Sequence, residues 1–590
     1  MTPKASSRLA LFICPWIAPI LLAAAIGWAQ APAPTASSAG LYRIAGTVVN
    51  SITGEPIPRA TVSFSDVETR RTVATSATGK DGHFALEGLP AGKYDFTAAK
   101  RGYLTASYDQ HEAYSSAIVT GEGQDTENLT FRLAPGATLT FIVTGDGGDP
   151  VEKAQILLFK RVHDYGLGQR MVTAGQYATM DDGEVNVYNL QPGDYFVAVK
   201  AEPWFAMHGA KKNSNADAAG QPAVRRTNPA LDVVYPITFY NGVRDENSAT
   251  PLHLLPGSRE RISIQLETVP ALHLFVPVPA VSAAQTAEDG GDAPNQSSLQ
   301  LLLFGIKLPG IGPESADEVK DGVEEYTGIA PGHYELQAGD PPRILALDAT
   351  ADRQLAANTG TPAASFHALL HSASGGDFTG DATLLFNGTD PAHPAAPLRT
   401  LCNQKECSLD ALPPGTWELA MGSGEHFLPI LSIGEHGRIR SGNRVTATDK
   451  PLDLVLTIAD ANARLNGFAK KDGKGQAGVM VVLVPRNPAA HSDLFRRDQS
   501  DSDGSFSLRD VAPGSYTVVA IEDGWELEWQ RPEVLAPFLP KGIAVTVPEL
   551  NPSQVSTPPL HLSSAVPVQQ GVEKPVRAAE TSRKALLGLH

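Results

Sequence analysis

Apolar and polar side chains alternate along most of this chain, residue by residue. Tyr42–Val49 and Ala60–Phe64 read this way, as does His83–Glu87 with Phe84 and Leu86 on one face. Lys93–Lys100 follows with Tyr94, Phe96 and Ala98 together. A period of two predicts strands with one buried face. The same short runs recur at Thr138–Val143 and Gln155–Phe159, at Leu272–Val276 and Leu301–Phe304, at Phe366–Leu370 and Thr383–Phe386, and at Arg464–Phe468 and Val479–Val484.

A fixed punctuation separates the runs. An apolar turn segment leads five times into a Gly-x-aromatic step: Gly92-Lys93-Tyr94, Gly193-Asp194-Tyr195, Gly332-His333-Tyr334, Gly415-Thr416-Trp417 and Gly514-Ser515-Tyr516. Asp-Gly precedes it at Asp81-Gly82, Asp182-Gly183, Asp321-Gly322 and Asp503-Gly504. The step glycines lie 101, 139, 83 and 99 residues apart. That period is too long for a solenoid and suits sandwiches of about 100 residues. The expected fold is all-β, a tandem array of about five Ig-like β-sandwich modules. Their boundaries fall at 41–135, 136–270 (with an insertion), 271–362, 363–460 and 461–562, followed by a disordered tail over 563–590.

Turn chemistry accounts for the motif. Asp-Gly supplies the positive φ angles of a tight hairpin. Pro then fixes φ, Gly permits the bend, and the aromatic two residues on points inward. These residues build a framework and are not read as catalytic. Linkers between modules are short: Phe131-Arg132-Leu133 leads after four residues into Thr138-Leu139. Such joints restrict inter-domain freedom, and strands rising about 3.3 Å per residue make each module on the order of 30 Å long. The expectation is a semi-rigid rod of five beads.

The N-terminus reads as an export signal over 1–29. Lys4 and Arg8 precede an apolar run, Leu9–Ile26, broken by Pro15 and Pro19; Gly27 and Ala29 flank Trp28 at a cleavage site. An uncleaved anchor is the alternative, since the run is nearly long enough to span a bilayer. Residues 30–40 form a Pro/Ala/Ser linker, and no later stretch could cross a membrane. Secreted or periplasmic localisation follows. Cys402 and Cys407 then meet an oxidising compartment, where a disulfide across a hairpin, with its paired residues about 5.5 Å apart, is favoured over a metal pair or free thiols.

Composition excludes one class of partner. The 590 residues carry a formal net charge of −17 without basic blocks, which argues against nucleic acid. No His-x-x-Glu pair, His-Glu-x-x-His, Gly-x-Ser-x-Gly or Walker loop occurs, and the Asp-Gly turns lack a calcium ligand ladder. No enzyme, cofactor or metal is therefore expected. A Lys–Asn cross-link is rejected for module one, whose first strand turns Ile44, Gly46 and Val48 inward. What exceeds a packing account is the long segment after the aromatic strand in three modules. It carries Trp204 and Tyr240 in module two, and Trp525, Trp529 and Phe538 in module five. Aromatics beside carboxylates suit stacking on a sugar or docking of an envelope protein. The competing reading is that these segments cover a sheet edge and bury their own aromatics.

Ile44-Ala45-Gly46-Thr47-Val48-Val49-Asn50, Gly54-Glu55-Pro56-Ile57-Pro58 and Asp81-Gly82-His83-Phe84 through Tyr94 together resemble the carboxypeptidase regulatory-like domain. Ser502–Leu508 and Pro513–Tyr516 in module five resemble it too. The resemblance covers about 200 residues, and the layout is similar to secreted multi-module proteins of acidobacteria. It implies a transthyretin-like (prealbumin-like) sandwich used as an accessory domain beside peptidases, transporters and adhesins, with no catalytic residues to carry over. Related sandwiches bind glycans, an analogy at the level of fold. The sequence thus points to a non-enzymatic binding or scaffolding protein of the cell envelope, or alternatively to a carbohydrate-binding protein assisting a separate enzyme.

Overall fold

The computed structural model describes residues 41–571, apart from 165–167, 209–227, 278–296, 309–314, 320–322, 340–341, 379, 390–396, 425, 460–461 and 550–558. The export signal, the linker and Asp321-Gly322 lie outside the described residues. The fold is a succession of β-sandwiches with almost no helix.

Module one sets the pattern. Its strands are β1 (Tyr42–Asn50), β2 (Thr61–Asp66), β3 (Thr72–Ala77), β4 (His83–Leu89), β5 (Gly92–Ala99), β6 (Ala106–Ser107), β7 (Ile118–Thr120) and β8 (Leu129–Leu133). One sheet has the order β4-β1-β8; the other has β3-β2-β5, with β6 and β7 both on the free edge of β5. Alternation places Ile44 and Val48 of β1 against Val62 and Phe64 of β2 and Phe96 of β5, all buried. The Phe64 and Phe96 rings stack at 4.5 Å. First and last strands pair in parallel, so the chain leaves at the end opposite its entry. Modules two, four and five repeat this long parallel pairing or a shorter form of it, and module three does so through Leu274 and Phe275 with Arg353 and Gln354.

The Asp-Gly turn is not a hairpin. β3 and β4 lie in different sheets, so the turn carries the chain across the sandwich. Gly82 has φ +72, and its backbone packs so closely on β1 that a Cβ would sit 2.7 Å from the Val48 carbonyl. Gly183 and Gly504 do the same against Val143 and Ala469. The turn therefore needs glycine for close approach as well as for φ.

Module four is where the two sheets merge. Leu398–Asn403 pairs with both Ala382–Gly388 and Glu406–Leu412, giving one ten-stranded sheet. The Cys402–Cys407 disulfide crosses that hairpin with its Cα atoms 4.2 Å apart. This is nearer the spacing of a non-hydrogen-bonded pair than the 5.5 Å of a hydrogen-bonded one. In module five, Val566–Gln570 runs parallel to both Ala463–Lys471 and Gly514–Glu522 and joins the sheets. The start of the expected disordered tail is thus a strand of the last sandwich. Val566 is buried in the core and Val568 packs against it, but the proline between them and the two glutamines that follow hid so short an alternation.

The rod is also corrected, because module one packs on module five. Lys93 reaches Asp501 at 2.5 Å, Ser116 Oγ donates to the Ser500 carbonyl at 2.8 Å, and the Ala117 N–H donates to Asp501 at 2.9 Å. Short joints limit freedom, but they do not make a path straight.

Candidate functional site

The exposed aromatic chemistry of module two gathers where its first strand, Ala137–Thr144, meets the turn Gly145–Asp149. The aromatic strand Gly193–Lys200 ends beside this turn and runs on into Ala201-Glu202-Pro203-Trp204-Phe205. Tyr235 is buried there, its hydroxyl so close to Gly145 that a Cβ at that position would sit 2.5 Å from it. An open cleft of about 780 Å³ results. Its walls carry Asp146, Asp149, Glu152, Asp181 and Glu202, with Lys153 and Lys200 among them. Asp146 is held by Thr268, which donates from its N–H at 3.0 Å and its hydroxyl at 2.6 Å. Trp204 lies at the wall, 87% exposed, its ring edge-on to Phe205 at 5.6 Å. An accessible indole beside carboxylates offers a stacking face with hydrogen-bond acceptors around it.

The other aromatics expected to bind are placed differently. Trp525, Trp529 and Phe538 are 8%, 1% and 4% exposed and pack in one cluster with Met480, Val482, Phe495 and Ile521. They cover the outer face of the module-five sheet whose inner face, through Val481 and Leu483, belongs to the sandwich core. The Trp525 indole donates to the Gly478 carbonyl at 3.1 Å. These rings have no face left for a sugar, which corrects their assignment. The sequence did carry the signal: Met480-Val481-Val482-Leu483-Val484 is unbroken apolar instead of alternating, as a strand buried on both faces must be. Tyr240 is half-buried against the module-two core and does not line the cleft; Tyr235 does. The segments after the aromatic strand do cover sheet edges: β6 and β7 pair with β5, and Thr238–Phe239 and Leu252–Leu254 pair with Gly193–Lys200.

Two repeated polar contacts escaped sequence reasoning. Thr78, buried, accepts from the Ala60 N–H at 2.8 Å and donates to the Ile57 carbonyl at 2.7 Å. Thr179 and Ser500 make the same pair of bonds in modules two and five. All three stand four residues before the Asp-Gly glycine, an offset visible in the sequence. Second, the polar atom of each step aromatic donates to the carbonyl four residues upstream. Tyr94, Tyr195, Tyr334 and Tyr516 use the phenol, and Trp417 uses the indole N–H, at 2.8 to 3.0 Å. Burial pushes the Tyr516 phenol up to about 12.

A chain of ionisable groups links modules two and three. His208 Nδ1 faces Asp232 at 3.0 Å, and His273 is held between Asp232 and Glu325, at 2.7 Å from each. Burial opposes the charged His273 ring, but the hydrogen bonds and charges of Asp232 and Glu325 outweigh it and raise its pKa. Among the described residues no group of three or more His, Cys, Asp or Glu side chains is arranged to hold a metal ion, and no helix is long and apolar enough to cross a membrane.

Residues 43–134 match the carboxypeptidase regulatory-like domain. Residues 466–536 match the second β-sandwich domain of the BOS complex subunit NOMO1-like family. The two matches fall on modules one and five, and the second describes a sandwich. No curated protein matches the chain. Among solved structures, a streptococcal ancillary pilin is similar over 54% of this chain and 98% of its own, at 11% identity and a TM-score of 0.18. The Bacillus anthracis TIE protein is similar over 72% of this chain and 75% of its own, at 11% identity and a TM-score of 0.15. The Streptococcus agalactiae minor pilin GBS52 is similar over 38% and 97%, at 15% identity and a TM-score of 0.18. Scores this low carry no argument about function.

Proposed function

We propose that this is an exported, non-enzymatic protein that binds or scaffolds at the cell envelope, through an array of β-sandwiches. The disulfide of module four supports an oxidising compartment, secreted or periplasmic, as does the basic-then-apolar N-terminus. The matches to a regulatory-like domain and to a β-sandwich domain support a framework role. Its partners are a glycan or an envelope protein.

The observation that carries a binding role is Trp204, 87% exposed at the wall of the module-two cleft. Burying so large an apolar side chain stabilises a fold by about 2 kcal/mol or more. Leaving it in solvent forgoes that gain, and a ligand that covers it recovers it. The same observation favours the second reading, carbohydrate recognition beside a separate enzyme, because pyranose rings stack on indole and their hydroxyls donate to carboxylates. The test is glycan-array and envelope-fraction binding by the full chain and by Trp204→Ala. The expected outcome is at least about tenfold weaker binding with an unchanged melting curve. Equal binding by the two proteins would remove the cleft from the proposal, and turnover of a peptide or glycan by the purified protein would overturn the non-enzymatic reading.

A further inference from the structure

The joints between modules are unequal. Modules one and two are tied by backbone bonds, Gly136 N–H to the Gly102 carbonyl and Gly257 N–H to the Pro135 carbonyl. Modules two and three share a core, in which Leu157, Phe159 and Phe239 pack with Leu274, Leu301 and Leu336. Modules four and five are joined by the Arg496 guanidinium over the Phe427 ring at 4.1 Å and by Ser492 donating to Glu418 at 3.0 Å. Between modules three and four stands a single residue, Ala363, whose N–H donates to Pro342. Among the described residues, the core of module four is built from its own side chains.

Across this one-residue joint, modules one and five meet through a specific surface. The strap between β5 and β8 of module one lies on module five. At its centre the His111 ring stacks on Trp525 at 4.9 Å, and the Arg497 guanidinium lies over Tyr114 at 4.9 Å. Arg497 also pairs with Glu112 at 2.5 Å. Around this centre Lys93 bonds Asp501 and Ser505, and Gln499 donates to the Asp109 carbonyl. Backbone reaches backbone where the Ser502 N–H donates to the Ala117 carbonyl. Opposite charges meet across this surface: module one offers an amine, a carboxylate and an imidazole, and module five a carboxylate, a guanidinium and an indole.

We infer that the chain is a hinged clasp, in which modules one to three form one arm and modules four and five the other, closing by docking of the module-one strap on module five and opening about Ala363. The contact is polar, as interfaces between domains that move usually are. A small hinge segment is enough to absorb the rotation. The docking face of module five is thereby a binding surface whose occupant is this chain's own module one, and opening uncovers Trp525 and Arg497.

The test uses the full chain. A zero-length carbodiimide cross-link is expected between Lys93 and Asp501, in a product that runs as a monomer. Glu112→Arg leaves both groups in place but sets two cations together in the contact. It is expected to lower the yield of that cross-link about tenfold. It should also lengthen the maximum dimension in small-angle scattering by on the order of 30 Å, one module length, and red-shift tryptophan emission, with circular dichroism unchanged. A Lys93–Asp501 cross-link found only in covalent dimers would overturn the clasp. So would wild-type scattering as extended as that of the variant, or a variant whose cross-link and scattering match the wild type.

Discussion

At the scale of single residues, the step aromatic has two tasks that one side chain performs. Its ring fills the sandwich end, and its polar atom donates to the carbonyl four residues upstream, which in module five belongs to the buried Ala512. Tyr and Trp meet both demands and Phe meets one, which is why the five positions hold four Tyr and one Trp. Tyr516→Phe keeps the ring and strands the Ala512 carbonyl; it should destabilise module five by about 1–2 kcal/mol in chemical denaturation. Asp493 gives a pH test. It is fully buried in the short turn Ser492–Leu494, and burial raises its carboxyl to about 7. A carboxyl with a raised pKa contributes stability that is fully present below its unfolded value near 3.8 and is lost as pH rises through about 7. Asp493→Asn should therefore stabilise the protein at pH 8, on the order of 2 kcal/mol, and change little at pH 4. Melting curves at the two pH values decide this; equal shifts would show that charge at Asp493 is not the cause.

At the scale of elements, alternation predicted strands well and their partners less well. The Asp-Gly step read as a hairpin, since local sequence shows a tight turn and not which sheet each flank joins. Only the packing of Gly82, Gly183 and Gly504 on first strands reveals a crossing turn. Cys402 and Cys407 close a true hairpin in module four instead, and this holds together a sheet that is split in module one. In the chain-entropy model so short a loop is worth about 2 kcal/mol. Reduction, or the Cys402→Ser, Cys407→Ser double variant, should cost about that much. Hydrogen exchange should rise over Leu398–Leu412 and stay unchanged in module one. The strand Val566–Gln570 shows only a short alternation, Val566 and Val568 around a proline, and its place is completed by backbone pairing to two neighbours, which no local pattern reports.

At the scale of the molecule, departures from alternation mark where modules meet. Ile156-Leu157-Leu158-Phe159 is apolar throughout because Ile156 and Leu158 face the module-two core while Leu157 and Phe159 face module three. The same joint carries His273 between Asp232 and Glu325. Its raised pKa means that it contributes stability that is fully present below the unfolded value near 6.5 and is lost as pH rises through the folded value. His273→Gln should weaken the joint by about 2 kcal/mol at pH 5 and flatten the fall in stability above neutrality. Calorimetry of the full chain across that range measures both. Of the five aromatics singled out from sequence, only Trp204 is openly exposed. Whether an aromatic faces water depends on chain far away: His111 covers Trp525 from more than 400 residues upstream.

The repeated Gly-x-aromatic step and the period of two were enough to give the number and kind of modules, because turn geometry and one-sided burial are local demands that each residue type answers for itself. The acidic balance and the cysteine pair were equally local. Tertiary structure alone decided which aromatics remain exposed, where the two sheets of a module merge, and that the last module closes on the first. Those outcomes come from surfaces meeting across hundreds of residues, and a face that packs on another module carries much the same apolar residues as one that packs on its own.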